Sequence, residues 1–250
     1  MGKILFTAHP DTVPEIITSG TTTGTALLHL PLETYYYSID EEMHAKVERK
    51  LDLYAYVIYG SRLHAHYFLR WAKEYGQLER IQNLVNLVMD QPAATYLEQF
   101  HIPAVKPKDN ARSIDLIEFL LRISHEGAVL YPTGDHKTDE IPGLLIELEM
   151  PFTEFQVFSE DSLDRETLED YRNQVRNSGL KAILFHNESS ILRVQTAFPH
   201  LNLATLKLIA AGGRVSRKLQ KAGFKDVIDL NGDWNKLPEV VDNLINQGLR

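Results

Sequence analysis

The sequence contains no cysteine, which rules out disulfide bridges, thiolate metal centres and a cysteine nucleophile. It also lacks any apolar run long enough to cross a bilayer. Thr7, His9 and Asp11 break the opening run Lys3 to Phe6 too early for the core of a secretory signal, so a cytoplasmic protein without a membrane partner is expected. Positive charge is in short supply, with 26 Lys and Arg against 34 Asp and Glu and a net charge of −8. That balance argues against nucleic-acid binding, which works by neutralising phosphates, and an anionic ligand would need donors placed locally. His9, His64, His66 and His186 have no metal-ligand spacing, and His64 and His66, two apart on a helix, diverge. No Gly-x-Ser-x-Gly elbow surrounds Ser189 and Ser190. The Thr18 to Gly24 tract matches neither phosphate-binding glycine pattern and reads as a surface loop leading into a helix.

What is present is a globular composition, 250 residues with 44% hydrophobic, enough for one large or two ordinary domains. The chain is organised around Val129 to Phe158: an apolar run, Ala128 to Tyr131, meets Pro132 and Gly134, an amphipathic segment follows from about Glu140 to Glu149, and Phe152 to Phe158 is apolar again. Strand, loop, helix, strand is the pattern expected. The loop Thr133-Gly134-Asp135-His136-Lys137 stands where a strand ends and a helix begins, and Gly134 would let an anion approach the free backbone N–H groups.

The same alternation runs through the rest of the chain. Lys3 to Thr7 is a strand, Leu27 to Tyr37 reads as one long strand passing from one domain into the other, and Glu41 to Leu51 is a helix. Tyr54 to Tyr59 is apolar throughout, as a strand buried on both faces would be, and Gly60-Ser61-Arg62 turns it into a helix carrying Leu63, Tyr67, Phe68 and Trp71. Leu84 to Met89 leads to Gln91 and Pro92, with Pro92 suited to a first helical turn. Ser159 to Ser162 reads as a solvated connection before the helix Thr167 to Arg176. Lys181 to Phe185 is a strand ending at His186-Asn187-Glu188-Ser189, and Thr205 to Ala211 one ending at Gly213-Arg214-Val215-Ser216. Tyr54 to Val105 and Lys181 to Leu230 share one module, which predicts two similar α/β domains with parallel sheets. The first strand completes the second module, making that domain discontinuous.

Gly134, Lys137, Asp139, Ile141-Pro142 and Val157-Phe158 resemble the central block of the uroporphyrinogen-III synthases. The resemblance implies two Rossmann-like or flavodoxin-like domains, residues 1–34 with 158–250 and residues 35–157, joined by a two-stranded ladder of about 32–37 with 152–158. A monomer is expected. The resemblance further implies a lyase of haem biosynthesis that converts hydroxymethylbilane to uroporphyrinogen III, inverting the last pyrrole ring and losing water, without a cofactor. That substrate carries eight carboxylates, and an interdomain cleft lined by helix starts would suit it. By position the resemblance assigns substrate binding to Gly60, Ser61 and Arg62; to Gln91 and Pro92; to Gly134, Asp135, His136 and Lys137; to His186, Asn187, Glu188 and Ser189; and to Gly213, Arg214, Val215 and Ser216. Phe158 stands where the family has a hinge tyrosine, and it has no proton to give. Tyr35, Tyr36 or Tyr37 on the partner strand could supply the phenol instead. The other expectation is a relative that keeps the cleft and binds a tetrapyrrole or other anion without turnover.

Overall fold

The computed structural model describes residues 3–13, 27–107, 112–123, 127–135 and 140–246. The Thr18 to Gly24 tract, His136, Lys137 and Asp139 lie outside the described residues. The chain divides into two compact units, Met1–Thr34 with Asp161–Arg250, and Tyr35–Glu160.

In the central unit, α1 (Glu41–Lys50) starts at Asp40, whose carboxylate accepts from the Met43 amide at 2.7 Å. It leads into β4 (Tyr54–Tyr59), which follows β1 (Lys3–Phe6), β2 (Leu27–His29) and β3 (Thr34–Tyr37) in the chain. Then come α2 (Arg62–Glu74), α3 (Leu78–Gln82), β5 (Val85–Val88), α4 (Gln91–Glu98), β6 (Ala104–Val105), α5 (Ser113–Ile123), β7 (Ala128–Gly134), α6 (Glu140–Glu147) and β8 (Phe152–Asp161). The sheet runs β3-β8-β7-β4-β5-β6, with β7-β4-β5-β6 and β7-β8 pairing in parallel. Its two faces carry separate cores. Val57, Tyr59, Leu130 and Phe155 meet Phe68 and Trp71 of α2 and Leu97 of α4. Tyr56, Ile58, Val129 and Tyr131 meet Leu116 and Leu120 of α5 and Leu145 of α6. The alternation of side chains along each strand sorts them to the two faces, which is why β4 and β7 read as unbroken apolar runs.

The unit of the chain ends adds α7 (Arg165–Asn177), β9 (Leu180–Phe185), α8 (Glu188–Ala197), β10 (Lys207–Ala210), α9 (Gly213–Lys221), β11 (Val227–Asp229) and α10 (Leu237–Asn246). Its five strands lie in the order β11-β10-β9-β1-β2, all parallel. Leu5, Ile183 and Phe185 pack on Val194 of α8 and Leu219 of α9. Ile4, Phe6 and Leu184 pack on Leu237 and Val241 of α10.

The two sheets are wound differently. In chain order the first unit reads 2-1-3-4-5, as in flavodoxin-like folds, with its reversal between β1 and β9. The central one reads 3-2-1-4-5, as in Rossmann-like folds, with its reversal between β4 and β7 and β3 added at the edge. Ligands of such sheets bind beyond the carboxyl ends of the strands at the reversal.

Two sequence expectations are corrected. Leu27 to Tyr37 is two strands, because after His29 the amides of Leu30 and Leu32 bond to the Phe6 and Thr7 carbonyls at 2.9 and 3.0 Å, and Pro31 between them has no amide to extend a ladder. Ser159 to Asp161 is strand, not a solvated connection: β8 continues to Asp161, whose carbonyl accepts from the Thr34 hydroxyl at 2.8 Å, and Ser159 is buried.

Candidate active site

At the reversal of the central sheet, β4 ends at Tyr59 and Gly60-Ser61 opens α2. Ser61 occupies the N-cap position but makes no capping bond to the helix. Its hydroxyl lies 2.8 Å from Nδ1 of His64. The His64 ring is stacked with Tyr131 of β7, centroids 6.2 Å apart, and meets the Phe158 ring edge-on at 5.4 Å. Loss of water around that ring lowers the His64 pKa to about 4, so the imidazole is neutral at pH 7. A Cβ at Gly60 would stand 3.2 Å from the Tyr131 hydroxyl, and one at Gly134 would overlap the Phe158 ring at 2.4 Å. Glycine at 134 is therefore required by the ring that closes on the backbone, while at Gly60 a Cβ would be tight against the Tyr131 hydroxyl.

Around this cluster the expected residues separate. Arg62 is buried, its guanidinium 5.0 Å above the Tyr96 ring. Asp135 accepts from the Glu160 amide at 3.0 Å. At the start of α4 the capping group is Asp90, which accepts from the Ala93 amide at 2.8 Å, while Gln91 accepts from Lys106 at 2.8 Å. Pro92 fills the first turn of that helix. Of the three tyrosines of β3, Tyr35 meets Phe158 edge-on at 5.7 Å, and Tyr36 is 53% exposed. Tyr37 buries its hydroxyl and has Arg70 over its ring at 4.5 Å. Burial first, and the neighbouring Glu74 next, push the Tyr37 phenol well above its ordinary range.

At the reversal of the other sheet, His186 follows β9 with its side chain 5% exposed and both ring nitrogens buried without a hydrogen bond. Its Nε2 is 3.5 Å from the carboxylate of Glu33, itself buried and paired with Arg193. Phe6 and His29 stack nearby, and His9, lowered chiefly by desolvation, feels the Glu33 charge. Asn187 caps α8 through the Ser190 amide at 2.7 Å, and Glu188 and Ser189 are exposed. At α9 the cap position is Gly212, with no side-chain capping bond. Arg214 is exposed there, whereas the Val215 and Ser216 side chains turn inward and are buried. A Cβ at Gly213 would stand 3.5 Å from Arg217 Nη1 and 3.8 Å from Asp229 Oδ2, so a cation and a carboxylate both flank this turn.

Four of these turns open helices, and they are not equivalent. Asp90 and Asn187 each cap an amide at α4 and α8, while α2 and α9 begin without a capping bond from the N-cap residue. His64, Tyr131, Glu33, Asp90 and Arg217 were not foreseen as site residues from the sequence. For His64 a signal existed: Ser61 and His64 are three apart at a strand-to-helix turn, a spacing that makes them neighbours. Among the described residues no three His, Asp or Glu side chains converge as metal ligands do, and no helix is long and apolar enough to cross a membrane. A concavity of about 370 Å³ beside Phe198, Leu203 and Phe224 lies ahead of β10, away from the strands' carboxyl ends.

The family model of uroporphyrinogen-III synthase HemD matches residues 21–229. The chain belongs to the uroporphyrinogen-III synthase family. Members of the family are lyases of haem biosynthesis, and tetrapyrrole biosynthesis is the function this membership gives the chain. Solved structures of uroporphyrinogen-III synthases share the fold. The Helicobacter pylori enzyme is 16% identical, with all of both chains covered and a TM-score of 0.60. A mutant enzyme from Thermus thermophilus is 13% identical over 99% of this chain and 100% of that one, with a TM-score of 0.65. No curated protein matches the chain by sequence.

Proposed function

We propose that the chain closes hydroxymethylbilane to uroporphyrinogen III, with inversion of the last pyrrole ring and loss of water. In this reading it is a cytoplasmic monomer that requires no cofactor and engages neither nucleic acid nor a membrane. The observation that carries the reading is the family match over residues 21–229. The geometry supports it in a specific way. A protein of net charge −8 that takes a ligand with eight carboxylates needs dedicated donors. The starts of α2 and α9, which take no capping bond from their N-cap residue, are candidate donors through the positive ends of their helix dipoles. Gly60, Ser61 and Arg62, and Gly213 and Arg214, therefore take the main carboxylate contacts. Asp135 and Gln91, already engaged with the Glu160 amide and Lys106, contribute less, as do Gly134, Pro92 and His186 to Ser189. His136 and Lys137 keep in this reading the substrate-binding assignment that the resemblance implies.

The test is to incubate purified protein with enzymatically generated hydroxymethylbilane, oxidise the products and separate the uroporphyrin isomers. Isomer III above the spontaneous isomer I background is expected. Isomer I alone at the uncatalysed rate sinks the proposal.

A further inference from the structure

With Phe158 in the hinge position, no phenol at that position can assist the hydroxyl group that must leave the substrate. Of the β3 tyrosines, Tyr36 points to solvent and Tyr37 is tucked against Arg70, which leaves the surroundings of Phe158 to be searched. Among the described residues the polar side chains there are those of Tyr67, which is buried with its ring stacked on Phe158 at 5.3 Å, Tyr35, His64 and, beyond His64, Ser61 and Tyr131; of these Ser61 stands at the helix start. In a capping box the N-cap hydroxyl bonds to the backbone amide three residues on. Here the hydroxyl of Ser61 is paired with the side chain at that position, His64 Nδ1, at 2.8 Å. The imidazole is flanked by Tyr131, stacked with centroids 6.2 Å apart, and by Phe158, met edge-on at 5.4 Å.

A neutral imidazole carries one proton. If it sits on Nε2, Nδ1 accepts and the Ser61 hydroxyl hydrogen is spent inward. If it sits on Nδ1, Nδ1–H donates to the Ser61 oxygen and the hydroxyl hydrogen is free to point out of the turn. Carboxylates and a departing hydroxyl oxygen both need donors, so a bound substrate selects the second tautomer.

We propose that His64 is a positioning residue for the synthase reaction, donating Nδ1–H to Ser61 so that the Ser61 hydroxyl donates to the leaving oxygen of the substrate's terminal hydroxymethyl group. This rests on the reading that the Gly60 to Arg62 turn receives the substrate. The hydroxymethyl C–O bond breaks with both electrons going to oxygen, the adjoining pyrrole's π electrons relieve the deficit at carbon, and the oxygen takes a proton from solvent and departs as water. Ser61 remains a hydroxyl and His64 a neutral imidazole throughout. Their part is to hold a donor where negative charge develops, each hydrogen bond polarising the next.

The experiment compares Ser61→Ala, His64→Phe, His64→Asn and the Ser61→Ala/His64→Phe double variant in isomer III formation, with circular dichroism to select folded protein. Loss of a single donor of this kind costs about 100- to 1,000-fold in kcat. Ser61→Ala and His64→Phe are each expected to lower kcat by about tenfold or more with KM changed less than about threefold, and the double variant is expected to be no worse than Ser61→Ala. His64→Asn, whose amide N–H takes the place of Nδ1–H, is expected to recover kcat to within about fivefold of the wild type. Additive losses in the double variant, an Asn variant as poor as Phe, or an effect confined to KM overturn the proposal. A second readout is independent of turnover: 15N spectra of histidine-labelled protein saturated with uroporphyrin III should show a protonated His64 Nδ1. An unprotonated Nδ1 in that complex overturns the proposal even where the enzyme is active. Wild-type protein that makes no isomer III overturns the function reading instead.

Discussion

One hydrogen atom on the α-carbon of Gly134 is what admits the Phe158 ring to the site. A methyl group there would stand 2.4 and 2.8 Å from Phe158 Cε2 and Cζ, inside any tolerable contact. Gly134→Ala is expected to cost about 1–3 kcal/mol in urea denaturation, the usual range for overpacking. Adding Phe158→Ala removes the obstacle, so the double variant should fall short of the summed single losses by about 1 kcal/mol or more. Strictly additive losses would show that the ring and the glycine are not coupled. His186 gives the opposite case, since its ring nitrogens are buried with no bond made. A buried unsatisfied polar group costs about 1–3 kcal/mol, so His186→Leu should leave the thermal midpoint unchanged or higher. A clear fall in midpoint would mean that the contact with Glu33 at 3.5 Å holds the fold together. At this scale the sequence was a partial guide. It marked Gly134 as a place of close approach, but the approaching group is a ring 24 residues away in the chain, and only packing makes that known.

Among the secondary-structure elements, the starts of the helices decide what the turns can do. Asp90 caps α4, and desolvation raises its carboxyl from 3.8 to about 6. The folded state then holds that proton more tightly than the unfolded chain, so the group favours folding below about pH 4, and the advantage is lost as the pH rises through about 6. Asn caps as well as Asp and carries no charge. Asp90→Asn should match the wild type near pH 4 and exceed its stability above pH 6 by on the order of 1 kcal/mol, allowing for solvent screening, in urea melts across that range. A gain at pH 4 equal to that at pH 8 would contradict the assignment. The Asn187 cap of α8 offers a simpler check: Asn187→Ala should cost about 1 kcal/mol, and Asn187→Asp should not. The strand-to-helix alternation was legible because buried parallel strands read as apolar runs between glycine and proline breaks, as at Tyr54–Tyr59 followed by Gly60. Leu27 to Tyr37 misled because apolar periodicity does not register where a strand changes partners. The amides of Leu30 and Leu32 reach the carbonyls beyond β1, and β3 joins another sheet.

For the molecule as a whole, an internal strand of the discontinuous unit comes from the start of the chain. β1 lies between β9 and β2, so residues 161–250 without it would expose the edge of β9 and lose the packing of Leu5 and Phe6. Expressed alone, residues 35–160 should unfold cooperatively by circular dichroism, whereas residues 161–250 should not fold until residues 1–34 are supplied. A folded 161–250 fragment, or an unfolded 35–160 fragment, would contradict this division of the chain. Sequence by itself determined the α/β class, the parallel sheets and the family, because apolar period, turn chemistry and the block Gly134 to Phe158 are local properties of the chain. Only the tertiary structure decided the two strand orders, the uncapped starts of α2 and α9, and the enclosure of His64 by Tyr131 and Phe158. The reason is physical: which carboxyl ends adjoin, and which side chain takes a hydroxyl away from a helix, follow from how distant segments pack, and chain spacing does not encode that distance.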